Sequence, residues 1–155
     1  MGEKVYFVDR KKIEATLCFM EDCVELYKKT PSWKTPLYKF ALERLCQVVI
    51  ESIIDVGNAM IDGFIMRDPG SYADIIHVLQ DEKVINEADA NMIKDLISVR
   101  KKLVQHYVDL RHDEIVGKMD AAITAIETFP RQVRTYLEEE LGPVSAFLAD
   151  EQEET

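Results

Sequence analysis

Glycine and proline are scarce in this chain, six and five among 155 residues, and they fall where helices would end rather than at regular hairpin spacing. No stretch alternates apolar and polar residues as a half-buried strand would, and no internal repeat is visible, so a β sandwich or a repeat array is excluded. Cysteine is scarcer still. Cys18, Cys23 and Cys46 are odd in number and lack metal-ligand spacing, which argues against a disulfide framework or zinc site and reads as reduced, packed thiols of a cytoplasmic protein. No uncharged apolar run approaches the roughly 20 residues of a membrane span. The start, Met1 to Lys4, leads into Asp9-Arg10-Lys11-Lys12 with no apolar signal segment, so no membrane partner is expected. Positive charge is also in deficit: 19 Lys and Arg stand against 29 Asp and Glu, a net charge of -10. Such a surface repels phosphate backbones at long range, so a nucleic-acid ligand needs a local basic site or a basic partner subunit. DNA is not an expected partner. Glu-x-x-His pairs on facing helices are missing as well, which excludes a carboxylate-bridged metal bundle; no metal or cofactor is expected.

What is present is helical periodicity with clear punctuation. The hydrophobic share of 47% suffices for one packed core at this length, and one domain over residues 1–149 is expected, with the acidic segment 150–155 as a solvated tail. Asp9 can cap a first helix from about Arg10 to Lys29, with Ile13, Leu17, Met20, Val24 and Tyr27 at three- and four-residue spacing. Thr30 to Pro36 breaks it, and Thr35 followed by Pro36 opens a second helix to about Ile65. That helix is apolar around most of its circumference, as expected of a central helix or one sandwiched between subunits. A narrow polar stripe interrupts it: Gln47, Glu51, Asp55, Asn58 and Asp62. After the turn Asp68-Pro69-Gly70, Ser71 can cap a short helix through Gln80. Asn86 can cap a long helix to about Asp109 or Leu110, residues 111–114 break the chain, and a helix follows from about Glu114 to Thr128. Pro130 would begin the last helix, which Gly142-Pro143 ends. The expected fold is all-α: an antiparallel bundle of four main helices with one short extra.

One position does not suit a featureless bundle. Arg100 falls within an apolar stripe of the fourth expected helix, between Ile93, Leu96, Ile97 and Leu103, Val104, Tyr107. A guanidinium cannot be deprotonated, so burying it alone costs several kcal/mol. The acidic stripe of the second helix offers the natural partner, Asp55 or Glu51. The pair is either a structural ion pair or the lining of a cleft that holds an anion such as phosphate. Tyr107, about 10 Å further along the same face, reads on its own as a core aromatic. His106 would lie about 120° from Arg100 on a straight helix, converging with it only at a bend or across a dimer. His77 and His112 read as surface or packing residues.

The segment Arg100-Lys-Lys-Leu-Val-Gln-His106-Tyr107 resembles the Arg-x4–6-His signature of the HEPN superfamily, and most closely its HepT-like ribonuclease toxin branch. Ile54-Asp55-Val56-Gly57-Asn58 and Ser71-Tyr72-Ala73-Asp74-Ile75-Ile76 also look like this branch, and the likeness runs over about residues 5 to 145. The resemblance implies a metal-independent endoribonuclease that forms a homodimer, with the motifs of both subunits facing one cleft. It further implies a toxin paired with a nucleotidyltransferase antitoxin that silences it by placing AMP on the motif tyrosine. Carried onto this chain, Arg100 would hold the scissile phosphate, Tyr107 would be the AMP acceptor, and Asp55 would orient or neutralise part of the site. Glu51, Lys101 and Lys102 would support it.

The HepT-like branch spaces its motif Arg-x4-His-x-Tyr, which puts Gln105 where the histidine would stand; the actual histidine, His106, follows it and fits the wider superfamily spacing. Glutamine can hydrogen-bond but exchanges no proton near neutral pH, whereas histidine titrates near 6.5. Two functions follow. In one, His106 and Arg100 meet across a dimer and cleave RNA, with Lys101, Lys102 and Arg111 as a basic rim. In the other, the same fold is a catalytically weakened scaffold that binds a nucleotidyltransferase partner or a nucleotide.

Overall fold

The computed structural model describes residues 6–142, all helix and connecting loop with no strand among them. The expected acidic tail lies outside the described residues. The helices are α1 (Arg10–Lys29), α2 (Pro36–Gly63), α3 (Tyr72–Asp81), α4 (Glu87–Ile97), α5 (Arg100–Gln105) and α6 (His112–Leu141), with a 3-10 turn at Tyr107–Asp109 between the last two. Three of the expected caps hold through their side chains. Asp9 accepts from the Lys12 N–H at 3.0 Å, Ser71 from Asp74 at 3.1 Å, and Asn86 from Asp89 at 2.8 Å, each satisfying an amide that the helix itself leaves unpaired. Thr35 occupies the cap position of α2 but makes no side-chain cap bond.

α2 is the central element, touching α1, α3, α5 and α6, while α4 packs along α6. Its residues Leu42, Cys46, Val49, Ile50, Ile53, Val56 and Met60 are each at most 1% exposed. The bundle itself therefore covers most of this helix, the central-helix alternative of the two that its composition allowed. Large apolar side chains are left exposed at several places, Phe7, Phe19, Leu26 and Ile65 among them. Leu37 and Phe40 stand on the first turns of α2, and Val104, Tyr107 and Val108 on α5 and the turn after it. Among the described residues no helix is long and apolar enough to cross a membrane.

Two expected boundaries differ. The fourth helix does not run to Leu110. At Ser98 and Val99 the backbone tightens, with the Val99 N–H bonding to Leu96 O three residues back, and the Ser98 hydroxyl taking the Asp95 carbonyl. α5 then starts at Arg100, and His106 leaves it at φ -121°, ψ 39°. Conversely, no boundary falls at Pro130, which is buried inside one continuous helix from His112 to Leu141. A proline in mid-helix costs about 3 kcal/mol. Here it is offset by an unbroken buried stripe, Ile115, Met119, Ala122, Ile126, Phe129, Val133 and Leu137, at about 1.5–3 kcal/mol for each large side chain. On the outer side of the bundle Arg134 of α6 ties two carboxylates of α1, Glu14 at 2.8 Å and Glu21 at 2.7 Å.

The start of α3 is held by a compact charged turn. Arg67 donates Nη1 and Nη2 to the Asp74 carboxylate at 2.8 and 3.0 Å, and the Gly70 N–H donates to the same group at 2.8 Å. Those bonds, Arg67 first and Gly70 second, hold the Asp74 carboxyl well below its ordinary value of 3.8. A carboxyl depressed on folding contributes stability that is present above its unfolded value and lost as pH falls toward the folded one. The Gly70 amide should accordingly keep its shift and exchange protection through the ordinary carboxylate range and lose them only well below about pH 4. In Asp74→Asn that acid transition of the amide, followed by NMR, should be missing.

Candidate functional site

Arg100 opens α5 immediately after the tightened Ser98-Val99 turn, so its side chain is aimed at α2 rather than along the α4 stripe. Its Nε donates to Glu51 Oε1 at 2.6 Å, and its guanidinium carbon lies 4.4 Å from the centre of the Tyr72 ring at the start of α3. Three elements therefore fix one cation: α2 through charge, α3 through the ring face, and α5 through the backbone. The guanidinium side chain is one-quarter exposed and Glu51 one-third; the Glu51 hydrogen bond raises the arginine's already high pKa. Only Nε is engaged. The terminal nitrogens of Arg100 make no hydrogen bond among the described residues, and that leaves the paired N–H fork that suits two phosphate oxygens.

Arg100 and Tyr72 line a groove of about 350 Å³ that also takes in Lys94, Ser98, Lys101 and Gln105. Three cations and no carboxylate line it, a local inversion of the net charge of -10. A groove of that kind can draw an anion against the long-range field of the whole chain.

The other expected site residues distribute unevenly. Glu51, not Asp55, is the partner of Arg100; Asp55 lies one turn further along α2, is exposed, and makes no ion pair among the described residues. Gln105 shares the groove with Arg100, whereas His106 is exposed, sits just past the end of α5, and is absent from the groove lining. Tyr107 is not a core aromatic: it is 65% exposed, because the helix that would have pointed it inward has ended. Lys102 turns to Glu114 at 3.6 Å. His112, read from sequence as a surface or packing residue, pairs through Nε2 with Glu43 Oε2 at 2.8 Å, both side chains about one-fifth exposed. No spacing in the sequence signals a contact 69 residues apart, and Tyr72 as the ring over Arg100 was equally silent.

Residues 13–133 match the family model described as Ribonuclease HepT-like. The chain belongs to the HepT-like ribonuclease family. A curated relative, "Putative RNase YutE" of Bacillus subtilis (strain 168), is 50% identical over 143 residues, 92% of this chain and 99% of that protein. The solved structure of YutE, described as a cytosolic protein of unknown function, superposes with a TM-score of 0.87 at 48% identity, covering 89% of this chain and 96% of that one. A more distant likeness is to a tri-AMPylated Shewanella oneidensis HEPN toxin in complex with an MNT antitoxin, with a TM-score of 0.70 at 17% identity, over 79% of this chain and 96% of that one. That likeness establishes the HEPN fold. The Arg100 groove thus sits on a HepT-like scaffold.

Proposed function

We propose that this HepT-like chain is the toxin component of a toxin–antitoxin pair, a cytoplasmic, metal-independent endoribonuclease that cleaves RNA at the Arg100 groove of a homodimer. The observation that carries the proposal is the Arg100 guanidinium, held at Nε by Glu51 and on its face by Tyr72, with its terminal nitrogens free toward a groove of cations. A positively charged fork fixed in advance stabilises the charge that accumulates on a phosphate during transesterification, without reorganising at the moment of reaction. Lys94 and Lys101 add charge, and Gln105 is placed to hydrogen-bond the 2′-hydroxyl. Within one subunit no histidine lines the groove, so proton transfer falls to His106 brought in by a second copy.

The dimer is supported by where the exposed apolar residues lie. Phe40 is 11 residues before Glu51 and Leu37 is 14, about 20° and 40° from it around the helix, so both share the α2 face that meets Arg100. Val104, Tyr107 and Val108 are exposed on α5 and the turn after it, next to Gln105 in the chain. Packing two such surfaces together would cover these side chains and bring the two grooves near each other. The exposed Tyr107 phenol is accessible to a nucleotidyltransferase partner as AMP acceptor, and a mass increase of one AMP on its peptide after co-expression with that partner checks this.

One observation favours a second reading, a scaffold that binds such a partner without cleaving: Gln105 in place of a proton-transferring residue. The deciding experiment is RNA cleavage by purified protein with chelator present. Arg100→Ala should lower cleavage by about 10²- to 10³-fold, with the fold unchanged by circular dichroism. Activity that survives the substitution would belong to a contaminant. No cleavage at any wild-type concentration would leave the scaffold.

A further inference from the structure

A second cavity, of about 610 Å³, opens where the α1–α2 connection meets the α5–α6 connection. Its wall carries the chain's only tryptophan, Trp33. That ring is fixed by two neighbours, stacked on Tyr27 with centroids 5.7 Å apart and in T-shaped contact with Tyr38 at 6.2 Å. Around it stand Lys34, Lys39, Arg111 and His112, against one lining carboxylate, Asp113. Lys34 and Lys39 make no ion pair among the described residues, and Arg111 has only distant contacts, 3.6 Å to Glu114 and 4.0 Å to Asp113. The volume suits a nucleotide-sized group, and the pairing of two unpaired lysines and the loosely held Arg111 with a rigid indole is the chemistry that binds a phosphate and a base together. An acidic peptide would use the cations and leave the ring unanswered.

The cavity is tied to the Arg100 groove through α2. His112 is anchored to Glu43 and Arg100 to Glu51, eight residues or about 12 Å apart along the helix. We propose that the Trp33 cavity grips a nucleotide of single-stranded RNA flanking the one held at Arg100, its phosphate between Lys34, Lys39 and Arg111 and its base against Trp33. The identity of the ligand as RNA rests on the ribonuclease reading; the site itself does not.

Because Trp33 is the sole indole, its fluorescence reports on this cavity directly. Titration with a fully 2′-O-methylated oligoribonucleotide, which cannot be cleaved, should change Trp33 emission. The combined Lys34→Ala, Lys39→Ala, Arg111→Ala variant should bind about tenfold or more weakly at low salt, with a shallower dependence on salt. Arg100→Ala should retain the emission change. An unaltered emission in the wild type, equal affinity in the triple variant, or a signal that requires Arg100 would each overturn the proposal. AMP binding as tightly as the oligonucleotide would overturn it too, by making the cavity a free-nucleotide site. Cleavage of RNA without any Trp33 response would leave the ribonuclease and remove this site; a Trp33 response without cleavage would do the reverse.

Discussion

Gln105→Histidine is expected to raise RNA cleavage by about 10²- to 10⁴-fold, the range that positioned acid–base catalysis supplies. The groove already holds a fixed guanidinium, with Lys94 and Lys101 beside it; what one subunit lacks is a proton-transferring group at the same wall. Gln105 lines that wall and His106 does not, since α5 ends between them and His106 departs at φ -121°. An imidazole at position 105 would therefore face the phosphate, and its rate should climb as pH rises through the ordinary histidine range near 6.5, where the basic form appears. Single-turnover cleavage against pH, in wild type, Gln105→His, His106→Ala and the double variant, decides the matter. If the single substitution adds nothing while His106→Ala alone abolishes cleavage, then His106 reaching in from a second copy already supplies full proton transfer. In that event glutamine is no handicap.

How far the sequence could be read follows from the range of the forces involved. Helix starts at Asp9, Ser71 and Asn86 were legible because a cap is a contact over three residues. The need of Arg100 for a carboxylate was legible from a charge in an apolar stripe, but the choice of Glu51 over Asp55 was not. That choice depends on the turn at Ser98-Val99, which re-aims the arginine. Nothing in the local pattern marks the turn, because both residues keep right-handed helical angles. Pro130 misled for the opposite reason: the local rule says boundary, while the in-phase stripe from Ile126 through Phe129 to Val133 shows that packing overrides it. Tyr107 read as core only on the assumption that the helix continued. Its exposure follows from the same break that places His106 outside the groove.

The two other sequence blocks that resemble the HepT-like branch turn out to be one contact. Gly57 in α2 is buried against Ile75 in α3, and a Cβ at position 57 would overlap Ile75 Cγ2. Ile75 is β-branched and stiff, so it cannot swing aside. Close approach of the two helices is what sets Tyr72, three residues before Ile75, over Arg100. Gly57→Leu should therefore destabilise the fold by about 3 kcal/mol, the upper end of ordinary overpacking, and lower the urea midpoint by about 1–2 M for a protein of this size. Any cleavage that the folded protein retains should fall as well, because separating α3 from α2 withdraws the ring from the guanidinium while leaving the Glu51 pair in place. Gly117 supplies the contrast. It lies in α6 with nothing within 4 Å of its would-be Cβ, so Gly117→Ala should stabilise by up to about 1 kcal/mol through helix propensity alone. Urea denaturation of both variants checks the pair. A Gly57→Leu protein as stable as wild type, with cleavage undiminished, would mean that α3 can slide on α2 and that the Tyr72 ring is not what holds Arg100 ready for phosphate.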